Sequence, residues 1–600
     1  MKFRGGGRGG GGAAGAMASG PGGGGGGPRR RGRGRGGGNA GVALALGSLG
    51  AFGAAGARAY DVGFAKLFES APGEVADVPL AVEGALPEWL SGTLVRNGPG
   101  TFDFGKRRAT VAFDGFAKLH RFRIAEGEVT YSSRFLRSDS FNRTAERTDG
   151  DLAPMKTFGP LDPCLSLFGK AQGLFTMNDN MLVNVMRVGD SYLALSDAVG
   201  AVQFDLDSLL TLGAPPGIPQ GGGFPSLEGG GNADGDSGSG GPFAPPRRPT
   251  SGDMPPLGSL TSVRILGCAH PLPDLSRAGH SLQILFRVGI FTLQSSVELY
   301  RISPDLKRTP LWSKANIRGR LPYMHSFSAT EHYAVLFFYP LVWVRERFLE
   351  LKPPNEALEW EGESRPTVIY VVDLEKGETV AELETDPIFS FHHIDAYEEK
   401  GGQEVVVRLV GYPEGHVVRE FWDMPLEILK NADTRDVARP GCVPAPYEYR
   451  IDLARQTVSN TQLTDLTAIN GQGISAARQE LPRVNDAWVG KRHCFTYGIV
   501  LNSIVDREEL WAAEALSKFD MCGRGGSRVW RRENHYPSEP VFVPAPGAQV
   551  EDDGVLLSAV LDGESGGSYL LVLNATTMET LATAAVNGEH IPFGFHGGFF

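Results

Sequence analysis

From about Tyr60 to the C-terminus the apolar residues come in short runs, not with a helical repeat. "QILFRV", "YAVLFFYPLVWV", "TVIYVVDL", "EVVVRLVGY", "GVLLSAVLD" and "SYLLVLN" are rich in Val, Ile, Leu, Phe and Tyr. Each is bounded by Gly, Pro, Asn or Asp, which is the signature of strands joined by tight turns. Two stretches have helical character, "FWDMPLEILKNAD" and "DREELWAAEALSKF". Both are short and lie between strand-like runs, so they read as excursions forming a cap and not as a layer. Many short strands over such a length predict an all-β closed form, a large β-propeller being the leading architecture. No blade-length repeat stands out in the sequence.

Two regions break this pattern. Residues 213–258 are dominated by Pro, Gly and Ser between the strand-like "AVQFDLDSL" and "SVRILGCAH". They read as a disordered surface insertion on the rim of the fold. Residues 1–59 contain no acid, and within them Gly5–Gly38 is almost wholly Gly, Ala and Arg. Such a segment cannot bury enough apolar surface to offset its ordering entropy. The weakly apolar Gly41–Ala57 that follows falls short of the ~20 residues a spanning helix needs. Arginines before it and small residues at its end give the layout of a targeting segment. The organisation expected is thus an arm, 1–59, and one domain, 60–600.

The 600-residue chain carries a net charge of −11, which gives no reason to expect nucleic acid as a partner. Its five cysteines (164, 268, 442, 494 and 522) have no C-x-x-C and no regular spacing. They predict neither a disulfide framework nor a zinc site, and suit a reducing compartment.

Chemistry-bearing motifs are few. "GESGG" (Gly563–Gly567) fits G-x-S-x-G formally, but a hydrolase nucleophile needs a strand–turn–helix setting. Here two strand-like runs flank it, so it reads as a hairpin turn. Four of the twelve histidines sit at strand ends among aromatic, Gly or Pro residues: His270, His325, His392 and His596. They are too far apart for a local metal motif. Propeller geometry, in which inner strands of distant blades point at one axis, would allow them to meet around one ion. Metal-bound imidazoles usually donate their other N–H to a carboxylate. Glu480 in "QELPRVN" and Glu539 in "YPSEPVFV" each place a carboxylate in an apolar setting that demands a partner. For Glu480 an ion pair with nearby Arg483 is the plainer alternative.

Beyond single motifs, the chain resembles the carotenoid cleavage oxygenases, the family that includes β-carotene oxygenases and the retinal pigment epithelium isomerohydrolase. The likeness runs from about Leu86 to the end. It rests on "PEWLSGTLVRNGPGTFDFG", "FDGFAKLHRFRI", "LVNVMRVGDSYLALSD", "AHPLPD", "HSFSATEHYAVLF", "FHHIDAYEE", "ELPRVN", "YPSEPVFV", "EDDGVLLSAVLD" and "IPFGFHG", in that order. The resemblance implies a seven-bladed β-propeller with one Fe(II) per chain on its axis, held by His270, His325, His392 and His596. In "FHHIDAYEE" the family's ligand falls three residues before Asp395, which selects His392 over His393. The family's three glutamates behind the ligands map to Glu480, Glu539 and the acid of "YLALSDAVG", here Asp197. That acid is one methylene short, so either the imidazole contact lengthens or the strand shifts. A second departure is Phe116, where the family has a small or acidic residue. His120 matches no ligand position and reads as structural.

The activity the resemblance implies is O₂-dependent scission of a C=C bond in a carotenoid or apocarotenoid, giving two carbonyl products. Retinyl ester isomerohydrolysis and a non-catalytic lipid-binding propeller are the alternatives. A membrane-dissolved substrate implies peripheral membrane contact, for which Leu161–Phe175 with Cys164, a candidate acylation site, is the expected segment. The arm suggests a plastid or another organelle, with the cytoplasm as alternative.

Overall fold

The computed structural model describes residues 62–147, 178–215, 262–289, 294–318, 320–344, 346–347, 350, 352, 354–415, 425–430, 444–463, 475–500 and 514–600. The arm 1–59, the Cys164 segment and nearly all of the 213–258 insertion lie outside them. By its internal contacts the chain from Arg58 to Phe600 forms one unit.

The fold is all-β. Among the described residues there are seven antiparallel sheets of four or more strands, besides a three-stranded and a two-stranded one. Most are built from consecutive strands, such as His393–Glu399, Glu404–Gly411, Ala445–Asp452 and Thr457–Gln462 in that spatial order. Pairing strands that are neighbours in sequence keeps the loop-closure entropy low, and even a long connection such as 412–444 adds little to it. Central strands such as Glu404–Gly411 and Gly554–Asp562 are buried along nearly their whole length. This is why they read as continuous apolar runs instead of alternating ones.

A long-range strand pairing decides the position of the last residues. Gly597–Phe599 pairs antiparallel with Gly92–Thr101, placing the last residues beside an early strand of the described domain. Thr93 and Phe600 exchange backbone hydrogen bonds of 2.9 Å each way. Asn97 N–H donates to His596 O at 2.9 Å, and Phe595 N–H to Asn97 O at 3.0 Å. The approach is close enough that a Cβ on Gly98 would lie 2.7 Å from Gly594 Cα, so the glycine of "RNGPG" is needed there.

Three sequence expectations are corrected. Cys494 and Cys522 form a disulfide. They flank the antiparallel pair Phe495–Val500 and Ala515–Asp520, whose Phe495↔Asp520 register brings two distant cysteines together. Spacing in sequence could not reveal this. The end of "DREELWAAEALSKF" is strand Ala515–Asp520, not helix, because its apolar side chains are buried by pairing on both sides. And Arg483 pairs with Glu539, not with Glu480. The helix expected in "FWDMPLEILKNAD" is present as the short Leu426–Lys430. "GESGG" is the turn between Gly554–Asp562 and Ser568–Asn574.

Candidate metal centre

Each of the four histidines stands just ahead of a strand that ends or flanks its sheet. His270 precedes Leu272–Pro273, His325 precedes Ser328–Ala329, His392 precedes His393–Glu399 and His596 precedes Gly597–Phe599. Their imidazoles converge: one ring nitrogen from each lies within 4.8 Å of those of the other three. Ring centroids are 4.4 Å apart for His270 and His596, and 5.0 Å for His270 and His392. His270 Nε2 and His325 Nε2 approach to 3.0 Å. The neighbouring His393 is outside the group and is held by Ser328 Oγ at 2.6 Å and Tyr339 Oη at 2.8 Å.

Three of the four rings are oriented by carboxylates. His325 Nδ1 donates to Asp197 at 2.8 Å, His392 Nδ1 to Glu480 at 2.6 Å and His596 Nδ1 to Glu539 at 2.7 Å. An ionised carboxylate only accepts, so each Nδ1 carries a proton and each Nε2 is left to face the centre. His270 has no carboxylate partner among the described residues. The shorter Asp197 does not lengthen its contact. It sits where its second oxygen accepts Ala269 N–H at 3.1 Å, and Gly267 N–H binds its backbone oxygen at 3.0 Å. The strand carrying it is therefore drawn against the His270 loop.

Burial sets the charge states. It pushes His270 well below the ordinary histidine value, reinforced by His596, His325 and His392 around it. It lowers His596 to about 4. Burial works against ionisation of Glu480 too, but the His392 partner and hydrogen bonds from His392, Tyr412 and Leu481 hold it below the usual carboxylate range. His270 and His596 are thus neutral imidazoles, beside the ionised carboxylates of Glu480 and Glu539. His392 Nε2 is buried with no hydrogen-bond partner among the described residues, a costly state for a polar nitrogen unless something else takes its lone pair. Imidazole nitrogens suit divalent Fe, Zn, Cu or Ni, so the donor set fits the expected metal.

A cavity opens beside this cluster. His325, His392 and His596 border it, and Phe113, Phe391, Phe593, Phe595 and Leu481 line its apolar walls. Phe113 stacks on Phe595 with centroids 5.0 Å apart, so the chain terminus also builds the wall. His120 borders the same cavity and hydrogen-bonds Tyr131 Oη at 2.7 Å. Phe116 is buried against Phe104 and Phe141.

Sequence reasoning missed four partners. Tyr323 Oη donates to Asp197 at 2.8 Å and Tyr412 Oη to Glu480 at 2.6 Å, satisfying each acid's remaining demand. Arg96 and Arg483 both bind Glu539. Tyr323 lies two residues before His325, a same-side spacing in extended chain that could have suggested it. Nothing in the sequence links Arg96 to Glu539.

An all-β chain with convergent, carboxylate-backed histidines beside an apolar cavity defines a recognisable class. The sequence model described as "Retinal pigment epithelial membrane protein" matches residues 68–600. The chain belongs to that family, the carotenoid cleavage oxygenases. It is 27% identical over 555 residues to human β,β-carotene 15,15'-dioxygenase, covering 86% of this chain and 90% of the relative. The mitochondrial carotenoid-cleaving dioxygenase of Macaca fascicularis is 26% identical over 558 residues, covering 86% and 91%. Among solved structures, a cobalt-substituted apocarotenoid oxygenase of Synechocystis superposes with a TM-score of 0.67 at 21% identity, over 90% of this chain and 98% of that one.

Proposed function

We propose that the protein is a non-haem Fe(II) oxygenase that splits one C=C bond of a carotenoid or apocarotenoid with O₂, yielding two carbonyl compounds. The observation that carries the reading is the convergence of four imidazoles, three of them buried, beside an apolar cavity. His270, His325, His392 and His596 would hold one iron, with Asp197, Glu480 and Glu539 fixing three of the rings. Iron would supply the one-electron chemistry that O₂ requires. The names of the relatives, which include a β-carotene dioxygenase and carotenoid-cleaving dioxygenases, support the substrate class.

The protein's own contribution is placement. Phe391, Phe593, Phe595 and Leu481 confine a rigid apolar chain and exclude water, so that one double bond lies beside the histidines. Asp197 and Glu480, each satisfied by a tyrosine, keep the rings from turning. In this reading the domain is a seven-bladed propeller spanning 60–600 with its axis through the cluster. The 1–59 arm directs it to an organelle, and it touches the membrane peripherally to collect substrate. No helix among the described residues is long and apolar enough to cross a membrane.

The test is to load the protein with Fe(II) under anaerobic conditions, add O₂ and β-carotene, and analyse the extract by mass spectrometry beside His392→Ala. Paired aldehyde or ketone fragments, absent with the variant, are expected. One bound iron without cleavage of β-carotene, apocarotenoids or retinyl esters would overturn the enzymatic reading in favour of a lipid-binding propeller.

A further inference from the structure

The three acids behind the histidines are not equivalent. Asp197 and Glu480 take a histidine, a tyrosine hydroxyl and a backbone amide each. Neither pairs with an arginine or lysine among the described residues. Glu539 accepts five N–H groups: Arg96 Nη1 at 2.6 Å, Arg483 Nε at 2.9 Å, Arg483 Nη2 at 3.3 Å, His596 Nδ1 at 2.7 Å and Gly597 N at 3.0 Å. Two guanidinium charges therefore face one carboxylate at this corner, with the Arg96 and Glu539 side chains only 2% and 1% exposed.

The same two arginines grip the backbone on either side of His596. Arg96 Nη2 donates to Phe595 O at 2.9 Å, and Arg483 Nη2 donates to Gly597 O. His596 is followed directly by the three-residue strand Gly597–Phe599. A planar fork holds a carboxylate and a carbonyl in one fixed geometry, which a lysine ammonium on a flexible stem does not impose.

We propose that Arg96 and Arg483 are positioning residues for the fourth imidazole. They clamp the terminal segment through the carbonyls flanking His596. They also draw charge from Glu539, making His596 the weakest electron donor of the three carboxylate-backed rings. The inference rests on the metal reading above for its second half and on the backbone geometry alone for its first.

Arg483 is the residue to change, because its side chain is 31% exposed while Arg96 is enclosed. Three measurements on the full chain with Arg483→Gln and Arg483→Lys separate the possibilities. In Arg483→Gln, amide hydrogen exchange at residues 595–600 should rise while that of Gly554–Asp562 stays at the wild-type level. Release of iron to a chelator should accelerate by about 10- to 100-fold, the range for partners of metal ligands. The visible spectrum of the Co(II)-loaded protein should shift, since a purely structural loss would not change the ligand field. Arg483→Lys keeps the charge without the fork, so its spectrum should stay close to wild type while its terminal exchange follows Arg483→Gln. Wild-type exchange and release in Arg483→Gln, or full recovery of slow exchange by lysine, would overturn the clamp. Wild-type protein that takes up no metal would instead overturn the metal reading, and the exchange data would still decide the clamp.

Discussion

Replacing Asp197 by Asn tests whether the network behind the histidines carries energy. One oxygen of Asp197 accepts from Tyr323 Oη and His325 Nδ1, both at 2.8 Å, and the other from Ala269 N–H at 3.1 Å. All three partners are donors. Asn must turn its NH₂ toward one side, and the less costly choice leaves Ala269 N–H unpaired in a buried site. An unsatisfied buried donor costs about 1–3 kcal/mol, and loss of a charge-assisted bond adds a comparable amount, for roughly 2–6 kcal/mol in total. Urea unfolding of metal-free protein would measure it, and metal analysis after dialysis should show an affinity lowered about 10- to 100-fold. Asp197→Glu should not help. The extra methylene must enter a space closed by Tyr323 and the Ala269 amide, where overpacking costs about 1–3 kcal/mol. An Asp197→Asn protein within about 0.5 kcal/mol of wild type and with undiminished metal would refute this reasoning.

Other consequences follow from burial and covalent linkage. Cys494→Ser with Cys522→Ser opens a link across 28 residues and should lower unfolding free energy by about 3–4 kcal/mol, as should reduction of the wild type. Equal urea midpoints for oxidised and reduced protein would contradict it. Leu570→Ala, at a fully buried position, should cost about 2–5 kcal/mol in the same assay. Burial pushes the Asp395 carboxyl up to about 7. The unfolded chain gives up that proton near pH 4 and the folded one only near 7, so this group's contribution to stability falls as pH rises between them. Asp395→Asn should flatten that slope, and an unchanged stability–pH profile would show that another group causes it.

The strands were legible one by one. "EVVVRLVGY" and "GVLLSAVLD" are apolar because both faces are buried, and local pattern reports burial whatever the partners are. The chemistry of His270, His325, His392 and His596 could be suspected from their strand-end settings, and the ordered motifs of the family singled them out. The pairing of Glu539 with two arginines could not be read, since Arg96 lies 443 residues from it in sequence. Nor could the Cys494–Cys522 link, which depends on strand register, or the choice of Glu539 over the nearer Glu480 as partner of Arg483. Sequence determines which segments must be buried and which side chains carry reactive atoms, because those are properties of single residues and short spacings. Which of them touch is decided by sheet closure, where residues hundreds of positions apart are brought within hydrogen-bonding distance by pairings that no local pattern encodes.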